Sequence, residues 1–237
     1  MIKSTLTALL IALCIRTVLF QPFTIPSGSM EPTVLPGDYV IIEKFAYGYS
    51  RFSLPFGPPL FHGRILERTP RRGDIVVFKL PRDNHTDYIK RLIGLPGDRI
   101  ELMDGVVYVN GRPIEQQTLG PATVPGPFGL PQPVERIRET LPNGRSYVTY
   151  HYQGSPEMEN TGVYVVPPHT YFFMGDNRDN SSDSRFPEAI GVGYVPEENL
   201  VGRAALVAFS WDEDVSLFKP WTWVTDLRFG RLFHLLH

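Results

Sequence analysis

The sequence predicts a mainly β fold, and three observations carry that expectation. First, the 237 residues include 21 glycines and 23 prolines with 12% aromatics, a mix that favours short strands and tight turns over a helical bundle. Second, runs rich in β-branched and aromatic residues recur, most of them closed by Gly or Pro. They are 38–45 (DYVIIEKF), 74–80 (DIVVFKL), 87–95 (DYIKRLIGL), 171–174 and 201–211 (VGRAALVAFSW). Third, within 99–114 two β-rich runs flank Asp104-Gly105, a strong short-range hairpin signal. Around Pro142-Asn143-Gly144 the polar, Pro/Gly-rich stretch 115–160 offers a second hairpin. Residues 48–72, rich in Gly, Pro, Phe and Arg, read as an extended loop or ribbon.

The bulk numbers bound the chemistry. An apolar fraction of 42% supports a sizeable core. A net charge of -2 gives no global basic field for nucleic acid. Cys14 is the only cysteine, so no intrachain disulfide forms. The six histidines are scattered without a His-Glu-x-x-His spacing, which argues against zinc, and no metal or other cofactor is expected.

Residues 4–20 (STLTALLIALCIRTVLF) are mostly apolar, with Arg16 their one charge. As a helix the run spans about 26 Å, at the short end for a bilayer crossing, and Arg16 can snorkel to the interface. Lys3 precedes the run, and the first basic residue after it is Lys44. The positive-inside bias then places the N-terminus in the cytoplasm and the rest outside. The expectation is an uncleaved transmembrane anchor over 1–21. A cleaved secretory signal is the rival reading, but the small-x-small cleavage pattern is missing from Leu19-Phe20-Gln21-Pro22-Phe23; a buried core helix is the third. The tail, 213–237, carries Trp221, Trp223, Phe229, Leu232 and Phe233 with Arg228 and Arg231. It suits either a membrane surface or a helix docked on the core.

Three stretches hold groups that can do chemistry. Residues 25–33 (IPSGSMEPT) place two serines and a glycine between prolines. A serine hydroxyl needs a neighbouring base to become a nucleophile. His85 lies in a polar loop (PRDNHT), where a histidine is normally solvated. A lysine serves only if burial lowers its pKa from about 10.4. Lys90, within Tyr88-Ile89-Lys90-Arg91-Leu92-Ile93, meets that requirement if its strand face is internal; Lys44 and Lys79 occupy similar runs, so position alone does not choose among them. The third stretch, 174–185 (MGDNRDNSSDSR), follows the apolar YFFM and is either a solvated turn or a polar network beside a site. If it is extended, Asp183 and Arg185 share a face and can pair, and Ser181 can accept a hydrogen bond from a lysine.

In this order, IPSGSMEPT, RGDIVVFK, DYIKRLIGLPGD, GDNRDNSSDSR and VGRA behind an apolar segment resemble the bacterial type I signal peptidases (leader peptidases), membrane-bound serine proteases with a Ser/Lys dyad. The resemblance runs from about Pro22 to Ala205 and is weak at 48–72 and 112–165. It implies coiled antiparallel sheets behind one transmembrane helix, with a catalytic β domain over 22–97 and 172–212 and an inserted non-catalytic β domain over 98–171. By matching position it implies Ser29 as nucleophile, Lys90 as general base, Ser27 with the Ser29 N–H as oxyanion hole, Ser181 as the serine orienting the lysine, and Asp183 with Arg185 as a supporting ion pair. Phe23, Ile25, Met30, Tyr88 and Ile89 match residues lining small substrate pockets. Gly28 is expected to let the chain turn the backbone N–H toward the scissile carbonyl.

The implied reaction is removal of signal peptides from exported preproteins on the outer face of the bacterial plasma membrane, with small residues at the first and third positions before the cut. The lipid bilayer and the preproteins are the expected partners. Two departures stand out: no second apolar run follows the first, and a charged residue, Glu31, comes after Met30. The alternatives are a related Ser/Lys maturation protease for one pilus or conjugation substrate and, from another class, a membrane-anchored binding protein without catalysis.

Overall fold

A computed structural model describes residues 5–7, 15–54, 57–58, 61–125, 130–152, 159–212 and 225–236. Most of the expected anchor, residues 1–4 and 8–14, lies outside these, as do 213–224 of the tail. No helix among the described residues is long and apolar enough to cross a membrane. Phe20 and Gln21, which the expected anchor over 1–21 included, belong instead to the first strand, β1 (Phe20–Thr24). Its backbone is taken up by antiparallel pairing with β2 (Asp38–Glu43).

The other strands follow in chain order: β3 (Ile75–Lys79), β4 (Asp87–Gly94), β5 (Arg99–Met103), β6 (Val106–Val109), β7 (Arg112–Pro113), β8 (Glu115–Pro125), β9 (Pro131–Thr140), β10 (Ser146–Tyr152), β11 (Tyr164–Val165), β12 (Thr170–Met174), β13 (Val195–Pro196), β14 (Leu200–Ser210) and β15 (His234–Leu235). Among the described residues they form three sheets. The largest runs β1-β2-β14-β3-β4-β12-β13 with β15 on β14; a second is β10-β9-β8 and a third β11-β5-β6-β7. The chain leaves the large sheet after Gly94 and returns at Thr170.

The β3 run is buried on both faces, which is why it reads as a continuous rather than alternating apolar segment, and β4 is buried from Ile89 onward although it carries Lys90 and Arg91. Ile75, Val77 and Ile89 join a cluster with Ile25, Met30, Val40 and Ile42. Val76, Phe78 and Leu92 join another with Phe173 and Leu200. Ile93, Phe172 and Met174 pack against Ile100, Leu102 and Val107 of the third sheet. Each such side chain contributes about 1.5–3 kcal/mol of burial, enough to hold β4 rigidly.

The Asp104-Gly105 hairpin forms as expected, joining β5 to β6 with φ of 49° and 74° at its two central residues, the left-handed pair that a two-residue turn of this hand requires. The hairpin at Pro142-Asn143-Gly144 also forms, joining β9 to β10. The stretch around it holds far more strand than the sequence suggested: β8 and β9 pair along nearly their whole length. β8 is mostly exposed or half-buried, so it carries no apolar alternation to betray it. After Thr225, which is helical, the described tail turns through Phe229–Arg231 and lays β15 against β14, while Arg231 grips Asp38 at 2.9 and 2.5 Å and Leu236 packs on the core.

Candidate active site

The serine-bearing turn is built by the end of β1. Ile25 N–H donates to Asp38 O and Gly37 N–H to Ile25 O, each at 3.0 Å, so the chain is pinned before it reaches Ser27. Gly28–Met30 then form one turn of 3-10 helix, capped by Ser27 in extended conformation (φ -139°, ψ 151°). Successive side chains on such a turn diverge by about 120°. That divergence separates Ser29, 8% exposed, from Met30, which is fully buried in the core with Ile25 and Val34. Met30 therefore backs the site and does not line the cleft, which corrects the expectation for it. Gly28 adopts no left-handed conformation. A Cβ there would meet only the carboxyl end of Glu31, at 3.0 Å, a flexible side chain that can move aside.

Opposite the turn, β4 presents Lys90, 3% exposed. Its Nζ lies 2.6 Å from Ser29 Oγ and donates to Ile89 O at 3.0 Å. Burial pushes the Lys90 ammonium down to about 8; Asp183 and Asp176 pull the other way, and Arg185 adds to the lowering. Both carboxylates are already spoken for. Asp176 binds Arg91 through two bonds of 2.7 Å, and Asp183 binds Arg185 through two bonds of 2.9 Å. Neither forms an ion pair with the lysine, so desolvation decides its protonation.

These groups come from the polar stretch after β12, which is a folded network and not a solvated turn. β12 pairs with β4 at Met174↔Arg91, and this register delivers Asp176 to Arg91. Asn177 then clamps the serine turn: its N–H donates to Ser29 O at 3.2 Å and its side-chain amide to Gly28 O at 3.1 Å. Asp183 and Arg185 do pair, but within a turn rather than along an extended chain, and Asp183 also accepts from Gly175 N–H at 2.9 Å. The Arg185 pair holds the Asp183 carboxyl below its usual range, against the effect of burial. Ser181 Oγ makes no hydrogen bond of normal geometry, to Lys90 or to any other described group, yet it lies near enough to Asp183 to help keep that carboxyl ionised.

Three contributors were not singled out by the sequence: Arg91, Asp176 and Asn177. A fourth group arrives from the second sheet, where Glu139 of β9 pairs with Arg178 and accepts from Tyr147 OH at 2.8 Å. Arg91 stacks over the Tyr147 ring, 4.0 Å from its centroid. The ribbon of β8–β10 is thereby bonded to the back of the site.

A cleft of about 370 Å³ opens over the dyad, lined by Phe23, Ile25, Ser27, Ser29, Tyr88, Ile89 and Lys90 with Asn180 and Ser182 on the far side. Four of the five expected pocket residues thus line it. Ser27 is exposed and is part of this lining. Two strand edges border the cleft. β1 is an end strand of its sheet, and β4 is paired with β12 only from Arg91 onward. His85, the other possible base, lies in an exposed loop.

A family model described as signal peptidase, peptidase S26, matches residues 1–209. The chain belongs to the signal peptidase family, peptidase S26. A signal peptidase I from Rickettsia typhi is 44% identical over 246 residues, covering 96% of this chain and 89% of the relative. One from Rickettsia canadensis is 42% identical over 252 residues, covering 99% and 92%. Among solved structures, a signal peptidase I from Enterococcus faecalis is 26% identical, covers 57% of this chain and 97% of its own, and aligns with a TM-score of 0.34. The family match covers both the serine turn and the lysine strand.

Proposed function

We propose that this chain is a serine endopeptidase that removes N-terminal signal peptides from exported preproteins, with Ser29 as nucleophile and Lys90 as general base. The observation that carries the reading is the 2.6 Å approach of a desolvated lysine to a serine hydroxyl at the floor of a cleft. Neutral Lys90 takes the Ser29 proton as Oγ attacks the scissile carbonyl. The proton then passes to the departing amine, and water clears the acyl-enzyme by the same base. The Ser29 N–H and the Ser27 hydroxyl receive the developing oxyanion. A binding protein without catalysis has no use for a buried amine held against a hydroxyl.

The substrate enters extended, as an added strand between the free edges of β1 and β4. Phe23, Ile25, Tyr88 and Ile89 form shallow apolar walls that admit small side chains at the first and third positions before the cut. In this reading residues 22–97 and 172–212 make the catalytic unit, and 98–171 an inserted unit that braces it through Glu139 and Tyr147. The apolar run ending near Leu19 anchors the chain once in the bacterial plasma membrane, N-terminus inside, so that the cleft meets preproteins at the outer surface. The supports for this topology are the run's length, Lys3 before it and the lack of basic residues between it and Lys44.

The test is cleavage of a preprotein with Ala-x-Ala before its junction by the detergent-solubilised chain. Cleavage at that junction is expected, with none for Ser29→Ala or Lys90→Ala. Full activity of the Lys90 variant overturns the dyad.

A further inference from the structure

A second cavity, about 620 Å³ and larger than the catalytic cleft, opens at the mouth of the large sheet. Here β2 and β3 end and β1 and β4 begin, and the lining includes Arg16, Gln21, Lys44, Lys79 and Asp87. The cavity holds three cations and one carboxylate. Lys79 and Asp87 already pair at 2.9 Å; among the described residues Arg16 and Lys44 have no carboxylate in direct ion-pair contact, and Asp87 acts on Lys44 only from a distance. Lys44 is 3% exposed, and its ammonium donates only to the neutral Gln21 Oε1, at 3.2 Å. Burying an ammonium without a direct ion-pair partner costs several kcal/mol, which an anion bound in the cavity would offset. Burial and the nearby Arg16 push Lys44 down to about 8, against the pull of Asp87.

One further detail narrows the anion. Arg16 comes from the end of the apolar segment, whose neighbours Ile15, Val18, Leu19 and Phe20 are exposed; an exposed apolar stretch beside a cationic cavity suits the lipid–water boundary. We propose that this mouth binds the phosphodiester headgroup of an anionic lipid, with Lys44 and Arg16 taking the phosphate. The choice of a lipid over free phosphate rests on the anchor reading above. Asp87 lines both this cavity and the catalytic cleft, so an occupied headgroup site steadies the start of β4, three residues before Lys90.

The experiment uses the full chain in a phosphate-free neutral detergent. Thermal unfolding is followed while short-chain phosphatidylglycerol, short-chain phosphatidylcholine or inorganic phosphate is titrated in. Phosphatidylglycerol is expected to raise the transition temperature saturably and phosphatidylcholine much less. Arg16→Gln and Lys44→Met are expected to weaken the apparent affinity about tenfold each, the size of one lost charge-assisted bond. If Lys44→Met does not fold, the exposed Arg16→Gln decides alone. Equal shifts from phosphatidylglycerol and phosphatidylcholine, or shifts that Arg16→Gln leaves unchanged, overturn the site. A shift from inorganic phosphate as large as that from phosphatidylglycerol keeps the anion site but overturns the lipid as its source. No cleavage is measured, so failure of the dyad does not move the result, and monomeric lipid binds whether or not the chain is anchored.

Discussion

Arg91 and Asp176 meet in a two-point ion pair directly behind the dyad, each bond 2.7 Å long and each side chain 1% exposed. Arg91 follows Lys90 in β4, and Asp176 precedes Asn177, the residue that clamps the Ser29 turn. The pair therefore joins the strand that carries the amine to the segment that positions the hydroxyl. Thr33 Oγ1 donates to the same carboxylate at 2.5 Å, tying in the chain just beyond the serine.

Asp176→Ala leaves the Arg91 guanidinium buried without its counter-charge. A loss of about 3–5 kcal/mol is expected, read as a lower denaturant midpoint with little change in slope. Cleavage by the remaining folded protein should also fall, because the Asn177 clamp loses its neighbour. A variant as stable and active as the parent would show that the pair is dispensable.

The pH profile should report the lysine. Lys90 acts only when neutral, and burial holds it near 8. With one base titrating, kcat/KM rises about tenfold per pH unit below 8 and levels off above it, and at pH 7 only about a tenth of the molecules carry a neutral Lys90. Cleavage of a neutral peptide from pH 5.5 to 9.5 checks this. A profile flat through 8 contradicts the assignment.

The same shift has a stability consequence. Lys90 falls from 10.5 in the unfolded chain to about 8 in the folded one. Between those values the unfolded state binds more protons, so stability rises with pH across that window. Below 8 the full cost of burying the ammonium applies, about 3 kcal/mol. Lys90→Met removes it. The inactive variant should therefore be more stable than the parent at pH 7, by up to about 3 kcal/mol, and this advantage should fade as the pH approaches 10.5. Urea unfolding at pH 7 and pH 10 measures both parts; equal differences at the two pH values would speak against a desolvated lysine.

Ser27→Ala separates structure from chemistry. The Ser27 side chain caps no backbone group and is exposed in the cleft, so its loss should leave the melting temperature unchanged. Turnover should fall by about 10²–10³, the size of one lost oxyanion donor, with KM for a peptide substrate little altered. A parallel fall in stability would mean that the hydroxyl serves the fold.

Much of this was legible in the sequence, for reasons that differ by element. The Asp104-Gly105 turn was legible because two adjacent left-handed residues almost name their own conformation. The β3 run was legible because burial on both faces demands apolar continuity, and β4 because its aromatic and β-branched residues end at Gly94. β8 was not, since its side chains are mostly exposed or half-buried and its pairing is a matter of backbone. The choice among lysines shows a sharper limit. Lys44 and Lys90 are both 3% exposed and both lowered to about 8, so desolvation alone does not single out a base. What separates them is the hydroxyl at 2.6 Å, a long-range contact that no local pattern encodes. Arg91 and Asp176 were hidden in the same way: their pairing follows from the register between β4 and β12. Met30 was misplaced because residue adjacency to Ser29 says nothing about which side of a 3-10 turn each faces.

Gly175 offers the most local test of how the site is assembled. It joins β12 to the polar network and is packed from two sides. A Cβ at this position would stand 2.2 Å from Ser181 Oγ and 2.5 Å from the backbone oxygen of Ser29. Rotating the Ser181 side chain would relieve the contact with Oγ but not the one with its Cβ, at 2.5 Å. The contact with the Ser29 oxygen cannot be relieved that way, because that carbonyl is held by Asn177 N–H and belongs to the turn that aims the hydroxyl at Lys90. Gly175→Ala must therefore push the serine turn away from β4, and a displacement of about 1 Å at a reacting group costs on the order of 10²-fold in rate. The expected result is a folded protein with near-normal Lys90 burial and a large loss in kcat. A crystal structure of the variant should show the Ser29–Lys90 separation lengthened. Should Gly175→Ala cleave at the parental rate, the close packing of this segment on Ser29 would not be what fixes the dyad.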